Sequence, residues 1–270
     1  MINNSKIITE LTNLIDLMYQ KGWHERNAGN ISYLLFEEEL KDYLKLNSPL
    51  RNINLTVDAS SLAGKFFLVT GSGKYFKNVK KNPETNLGII RINEDGKTAS
   101  LLWGLEDGGA PTSELSSHLL SHTERLKIDS KNRVVVHTHA TNLIAMSIAH
   151  DLDEEAFSKT LWRMNTECII VFPEGIGILP WMVCGNEEIG YHTAKKFQEY
   201  RLVLWPMHGV FGVGNSLDDV FGLIETAEKA AGIYLKAFPL GIKNLISDEQ
   251  LIELTKAFGI KPNEKFIKIN

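Results

Sequence analysis

Val134-Val-Val-His-Thr-His139 reads as a β-strand that delivers two imidazoles to one place. Three consecutive valines favour extended backbone, where the branched side chains pack well. Side chains at i and i+2 of a strand share a face, so His137 and His139 project to one side with Cα atoms about 6.6 Å apart. Zinc–nitrogen bonds are about 2.0–2.1 Å long, so the two rings can converge on one ion, or they can be hydrogen-bonded core histidines. A third ligand must come from elsewhere. His208 follows the apolar run Leu202-Val-Leu-Trp205 and precedes Gly209, where a strand end opens. His118 and His122 stand four apart on one helix face. Nothing beside them resembles the zinc-protease helix motif, and they read as packing or surface histidines.

Working outward, further apolar runs predict strands at Ile31 to Phe36, Phe66-Phe-Leu-Val69, Leu87-Gly-Ile-Ile-Arg-Ile92, Ser100-Leu-Leu-Trp103, Cys168-Ile-Ile-Val-Phe172 and Leu202-Val-Leu-Trp205. Helical spacing predicts helices at about 5–20, 113–127, 141–149, 154–164, 186–199, 217–237 and 247–257, with Gly259 suiting the end of the last. Residues 37–64 are polar and irregular and predict a surface excursion with a turn at Pro49. No repeat or long linker divides the chain, so residues 1–270 are expected to form one α/β domain. Periodicity does not settle whether its sheet is parallel or antiparallel.

Composition narrows the function classes. With 43% apolar residues in 270, the chain can bury a sizeable core. A formal net charge of −4 and a pI near 6.1 offer no general attraction to nucleic acid. Neither a signal peptide nor an apolar run of the roughly 18 residues that a membrane span requires is evident, which predicts a cytoplasmic protein with neither nucleic-acid nor membrane partners. The cysteines, Cys168 and Cys184, form no framework, and Cys168 reads as a buried free thiol.

Three short segments carry further chemistry. Pro111-Thr-Ser-Glu-Leu115 predicts a helix start, with Thr112 or Ser113 near the N-cap and Glu114 in the first turn. The helix dipole there favours an ionised carboxylate, either as a cap or as a base at a helix mouth. Thr70-Gly-Ser-Gly-Lys74 can cradle an anion on backbone N–H groups. It fails the P-loop pattern at Tyr75 and Leu68, which disfavours an ATPase. Asn27-Ala-Gly-Asn30 is a turn whose asparagines bind phosphate or simply close the loop.

In order along the chain stand Trp23-His-Glu-Arg-Asn-Ala-Gly-Asn-Ile31, Val69-Thr-Gly-Ser-Gly-Lys-Tyr-Phe76, Leu101-Leu-Trp-Gly104, Pro111-Thr-Ser-Glu114, His137-Thr-His139, Phe172-Pro-Glu-Gly-Ile-Gly-Ile-Leu-Pro-Trp181 and Trp205-Pro-Met-His-Gly209. Over nearly its whole length the chain resembles the class II aldolase/adducin family. Ala28 departs from the glycine expected there, and a methyl group fits only if the turn has negative φ and the phosphate does not abut it. The resemblance implies a three-layer fold, with a largely antiparallel central sheet flanked by helices, and a homotetramer with sites at subunit interfaces. It implies a small-molecule sugar phosphate substrate, one zinc ion per subunit on His137, His139 and His208, and Glu114 as catalytic acid/base. It places Asn27, Asn30, Ser72, Gly73, Thr112 and Ser113 around the phosphate. Glu167 becomes a second carboxylate that reaches a neighbouring subunit's site. The implied reaction is reversible cleavage of a ketose 1-phosphate, in which the ion acts as a Lewis acid on the substrate carbonyl. The family's epimerases share the metal site, and its adducin-like binding proteins have the fold without catalysis.

Overall fold

β-Branched and aromatic runs form the strands of the computed structural model, which describes residues 2–268. The strands are β1 (Asn30–Leu35), β2 (Arg51–Asn54), β3 (Phe66–Thr70), β4 (Leu87–Ile92), β5 (Thr98–Gly104), β6 (Val134–Thr138), β7 (Gly177–Ile178), β8 (Leu202–Trp205) and β9 (Gly209–Gly214). The helices are α1 (Lys6–Gln20), α2 (Phe76–Val79), α3 (Pro83–Asn86), α4 (Leu115–Ile128), α5 (Thr141–Ala149), α6 (Glu154–Met164), α7 (Glu167–Val171), α8 (Glu187–Lys196), α9 (Leu217–Ala237) and α10 (Asp248–Phe258). In the described residues the strands form one sheet in the order β2-β5-β4-β3-β1-β6-β9-β8-β7. Every pairing is antiparallel except that of β7 with β8. The antiparallel sheet implied by the resemblance is therefore present.

The central strands are buried on both faces, and their period of two sorts each residue to a layer. Ile31, Tyr33, Leu68, Val134 and Val136 pack beneath α1, α5, α6 and α9, while Leu34, Phe67 and Val69 face α4 and Ala194 of α8. Three layers result. Helix ends follow local chemistry. Ser5, Asp153, Asn186, Ser216 and Ser247 accept backbone N–H groups as N-caps, and Gly259 closes α10 at φ 63°.

Four sequence expectations change. Cys168–Phe172 is not a strand, because Cys168 N donates to Asn165 O (3.0 Å) and starts the helical turn of α7. A short apolar run fits either state, and burial of Cys168 and Ile169 satisfies it as a helix. Residues 37–64 are more than a surface excursion. They supply the edge strand β2 and bury Leu40, Val57 and Leu62. β9 escaped prediction because glycine at 209, 212 and 214 masks the strand pattern, and α2 and α3 are single turns. Finally, α4 begins at Leu115 with Glu114 itself at the N-cap, one position outside the predicted first turn.

Candidate metal centre and acid–base site

The site lies where β3 and β6 end and where β1 and β9 begin. Asn30 pairs with His137 across β1 and β6, and His137 pairs with Phe211 across β6 and β9. His139 follows the last residue of β6, and His208 closes the three-residue turn between β8 and β9. The three rings stand edge to face, with centroids 5.3 Å (His137–His139), 5.0 Å (His137–His208) and 4.9 Å (His139–His208) apart. One ring nitrogen from each lies within 4.8 Å of the others. Gly209 permits this approach, since a Cβ there would stand 2.6 Å from Thr138 O and 2.9 Å from the His137 ring.

The outer nitrogens of His137 and His139 are engaged. His137 Nδ1 donates to Val210 O (3.3 Å), and His139 Nδ1 donates to Glu25 Oε1 (2.7 Å). His137 Nε2 is buried with no hydrogen-bond partner, as expected of a nitrogen reserved for an ion. Burial and mutual repulsion hold the His137 ring far below the usual imidazole range and push His208 down to about 4. Both rings are therefore neutral near pH 7, the state that ligates a metal. Neutral imidazoles, convergent spacing and one unpaired nitrogen together fit a divalent cation.

Glu114 stands beside this cluster, with its Oε2 3.8 Å from His137 Nε2, and it is only 8% exposed. Burial raises its pKa, and a hydrogen bond donated by Asn30 Nδ2 (2.8 Å) opposes that rise. The helix-dipole expectation of a simply ionised carboxylate is thus too simple, because desolvation is the larger influence.

The predicted phosphate residues gather at one end of the sheet. Gly71 and Pro111 form an isolated bridge that joins the segments bearing Ser72, Gly73, Thr112 and Ser113. Ser72 N and Thr112 N donate to Ala110 O (2.8 Å) and Thr70 O (2.9 Å), so those two amides are already used. Gly73, at φ 69°, faces open space, while Asn27 and Ser113 are exposed. Thr70 Oγ1 accepts from Ile31 N (3.1 Å) and ties β1 to this corner. Asn30 differs from its companions, since both ends of its carboxamide are engaged, by Glu114 and His118. Glu167 is exposed on α7 and lines a separate cavity with Lys21, Trp23, Asn142, Glu225 and Glu228. His118 and His122 are buried, as packing residues would be.

Two site residues were not predicted. Glu25 holds His139, and His24 fixes the 24–30 loop by donating from Nδ1 to Ala28 O (2.9 Å) and accepting at Nε2 from Thr138 Oγ1 (3.0 Å). Neither belongs to a periodic pattern, and only their place beside the Asn27 turn hinted at a role. Gly29 takes the left-handed conformation (φ 74°), where a Cβ would strike the His24 ring at 2.2 Å. Ala28 is not among the positive-φ residues, so its backbone conformation accepts a side chain.

Residues 9–235 match the family described as Class II Aldolase and Adducin N-terminal domain, and the chain belongs to that family. Within it, the chain is 52% identical to a rhamnulose-1-phosphate aldolase of Listeria monocytogenes over 98% of both chains. It is 53% identical to one of Enterococcus faecalis over 97% of this chain and 94% of the relative. A crystal structure titled sugar-phosphate aldolase from Thermotoga maritima superposes with a TM-score of 0.76 at 27% identity, covering 87% of this chain and 96% of that one.

Proposed function

We propose that this chain is a metal-dependent aldolase that cleaves L-rhamnulose 1-phosphate reversibly to dihydroxyacetone phosphate and L-lactaldehyde. The observation that carries the reading is the convergence of His137, His139 and His208 beside the buried carboxylate of Glu114. The near-full-length relatives narrow the substrate.

In this reading the three imidazoles hold zinc, whose charge they leave at +2, and the bound ion supplies Lewis-acid polarisation of the substrate's carbonyl. Cleavage removes the C4 hydroxyl proton and turns that oxygen into the aldehyde carbonyl. The C3–C4 electrons pass to the three-carbon fragment, which takes a proton at C3. Glu114 is the acid that delivers that proton and, in reverse, the base that removes it. Glu167 receives the hydroxyl proton from across a subunit interface, in a homotetramer. Asn27, Ser72, Gly73, Thr112 and Ser113 bind the phosphate. Asn30 belongs with Glu114, because its carboxamide is already engaged there. The two free cysteines, Cys168 and Cys184, suit a cytoplasmic enzyme. Among the described residues no helix is long and apolar enough to cross a membrane.

A coupled assay on the metal-loaded protein, comparing L-rhamnulose 1-phosphate with L-fuculose 1-phosphate, tests the reading. Turnover should strongly favour the first. Equal or reversed preference overturns the substrate assignment, and absence of cleavage with full metal overturns the aldolase.

A further inference from the structure

Behind Glu114 lies a buried polar chain that the reaction as described does not use. Glu114, His118 and His122 follow one another at intervals of four, so they share a helix face with a rise of about 6 Å between neighbours. His118 N donates to Glu114 O (3.2 Å), which extends this helical spacing back to the carboxylate. Opposite them, Asn30 and Ser32 of β1 share a strand face about 6.6 Å apart. The two repeats nearly coincide, and the side chains interleave. Asn30 Nδ2 lies 2.8 Å from Glu114 Oε2, and Asn30 Oδ1 meets His118 Nε2. His118 Nδ1 is 2.7 Å from Ser32 Oγ, which is 2.8 Å from His122 Nε2. Ser32, His118 and His122 are fully buried, and Asn30 is 7% exposed.

Donor and acceptor chemistry fixes the direction of each bond. With its nitrogen toward the Glu114 carboxylate, Asn30 presents its oxygen to His118, so His118 Nε2 carries a proton. Its Nδ1 then accepts from the Ser32 hydroxyl, whose oxygen accepts in turn from His122 Nε2–H. The chain ends at His122 Nδ1, which is buried and has no partner. Every bond points toward Glu114. Flipping Asn30 would reverse the His118 tautomer and leave two acceptors, Asn30 Oδ1 and the carboxylate, facing each other.

We propose that Ser32, His118 and His122 are positioning residues, which lock the Asn30 carboxamide with its nitrogen toward Glu114 and thereby aim the carboxylate. The role rests on the aldolase reading, but the bonding pattern can be tested apart from it. A misaimed acid/base lowers turnover without weakening substrate binding, and displacement by about 1 Å costs on the order of 10²-fold.

Neutron diffraction from crystals of the wild-type protein should show deuterium on Nε2 of both His118 and His122 and none on either Nδ1. Deuterium on His118 Nδ1 with Nε2 bare overturns the proposal. Ser32→Ala and His118→Leu should reduce kcat about 10- to 100-fold, with KM and metal content unchanged. Ser32→Thr and His118→Gln should recover most of the loss, since the glutamine amide donates near the Nε2 position. Wild-type kcat in folded, metal-loaded Ser32→Ala also overturns the proposal. If the wild-type protein cleaves neither sugar phosphate, the aldolase reading fails, while the neutron result still decides the bonding pattern.

Discussion

The Glu25 carboxylate accepts a hydrogen bond from His139 Nδ1 at 2.7 Å, leaving Nε2 as the free nitrogen of that ring. Glu25 is held below the ordinary carboxylate range. Partial burial pushes it up, but hydrogen bonds from its own backbone and from His139 outweigh that. Such a partner fixes both the tautomer and the orientation of a metal-binding imidazole.

Glu25→Ala should therefore weaken metal binding by about 10- to 100-fold, the usual effect of removing an outer partner of a ligand. Competition against a chelator at fixed pH measures it. Affinity equal to wild type would mean that the contact does not orient His139.

Much of this site was legible before the fold was known, and particular residues show why. His137 and His139 announce themselves through strand period alone, because i and i+2 must share a face. His208 does not, since only the β8–β9 turn brings it beside them. Glu114 was recognisable as a carboxylate at a helix start. Its burial was not, because desolvation depends on strands and helices distant in sequence. Asn30 read as a turn residue near phosphate, and its engagement by Glu114 and His118 depends on the register of β1 against α4. Cys168–Phe172 failed for a different reason. Five apolar residues carry no period, so tertiary contact chose helix over strand.

Acid should destabilise the fold through its buried histidines. Burial pushes His122 down to about 3, well below the value near 6.5 of an unfolded chain. The folded state therefore keeps the ring neutral while the unfolded state takes up a proton. Its contribution is present above pH 6.5 and is lost as pH falls toward 3. His122→Gln removes this linkage. Urea unfolding at pH 6.5, 5.5 and 4.5 should show the gap between wild type and variant narrowing by about 1.4 kcal/mol per pH unit. Parallel stability curves would exclude His122 as a source of acid lability.

Glu167 is exposed on α7 and lines a cavity apart from the three histidines, and the proposed reaction assigns it to a neighbouring subunit's site. Glu114→Ala and Glu167→Ala should each be inactive alone. Mixed and allowed to exchange subunits, they should regain activity, because some hybrid sites then hold both carboxylates. No recovery after verified exchange, or full activity in a monomer, would rule out a Glu167 that acts across an interface.

In the proposed reaction, Glu114 is what separates a catalyst from a metal-binding module of the same fold. Glu114→Gln keeps the side-chain shape and an oxygen able to accept from Asn30 Nδ2, but it removes the proton-exchanging oxygen. The three histidines are untouched, so metal content should survive. Stability should change little, because the Glu114 side chain makes no cap hydrogen bond and the glutamine oxygen can still accept from Asn30 Nδ2. Turnover should fall by roughly 10²–10⁴-fold, the usual worth of a positioned acid/base. Hydrogen exchange into dihydroxyacetone phosphate without aldehyde isolates the proton transfer at carbon from carbon–carbon bond formation. That exchange should fall about as far as cleavage does. If it continues at the wild-type rate while cleavage collapses, Glu114 does not handle the C3 proton, and another group in the site must.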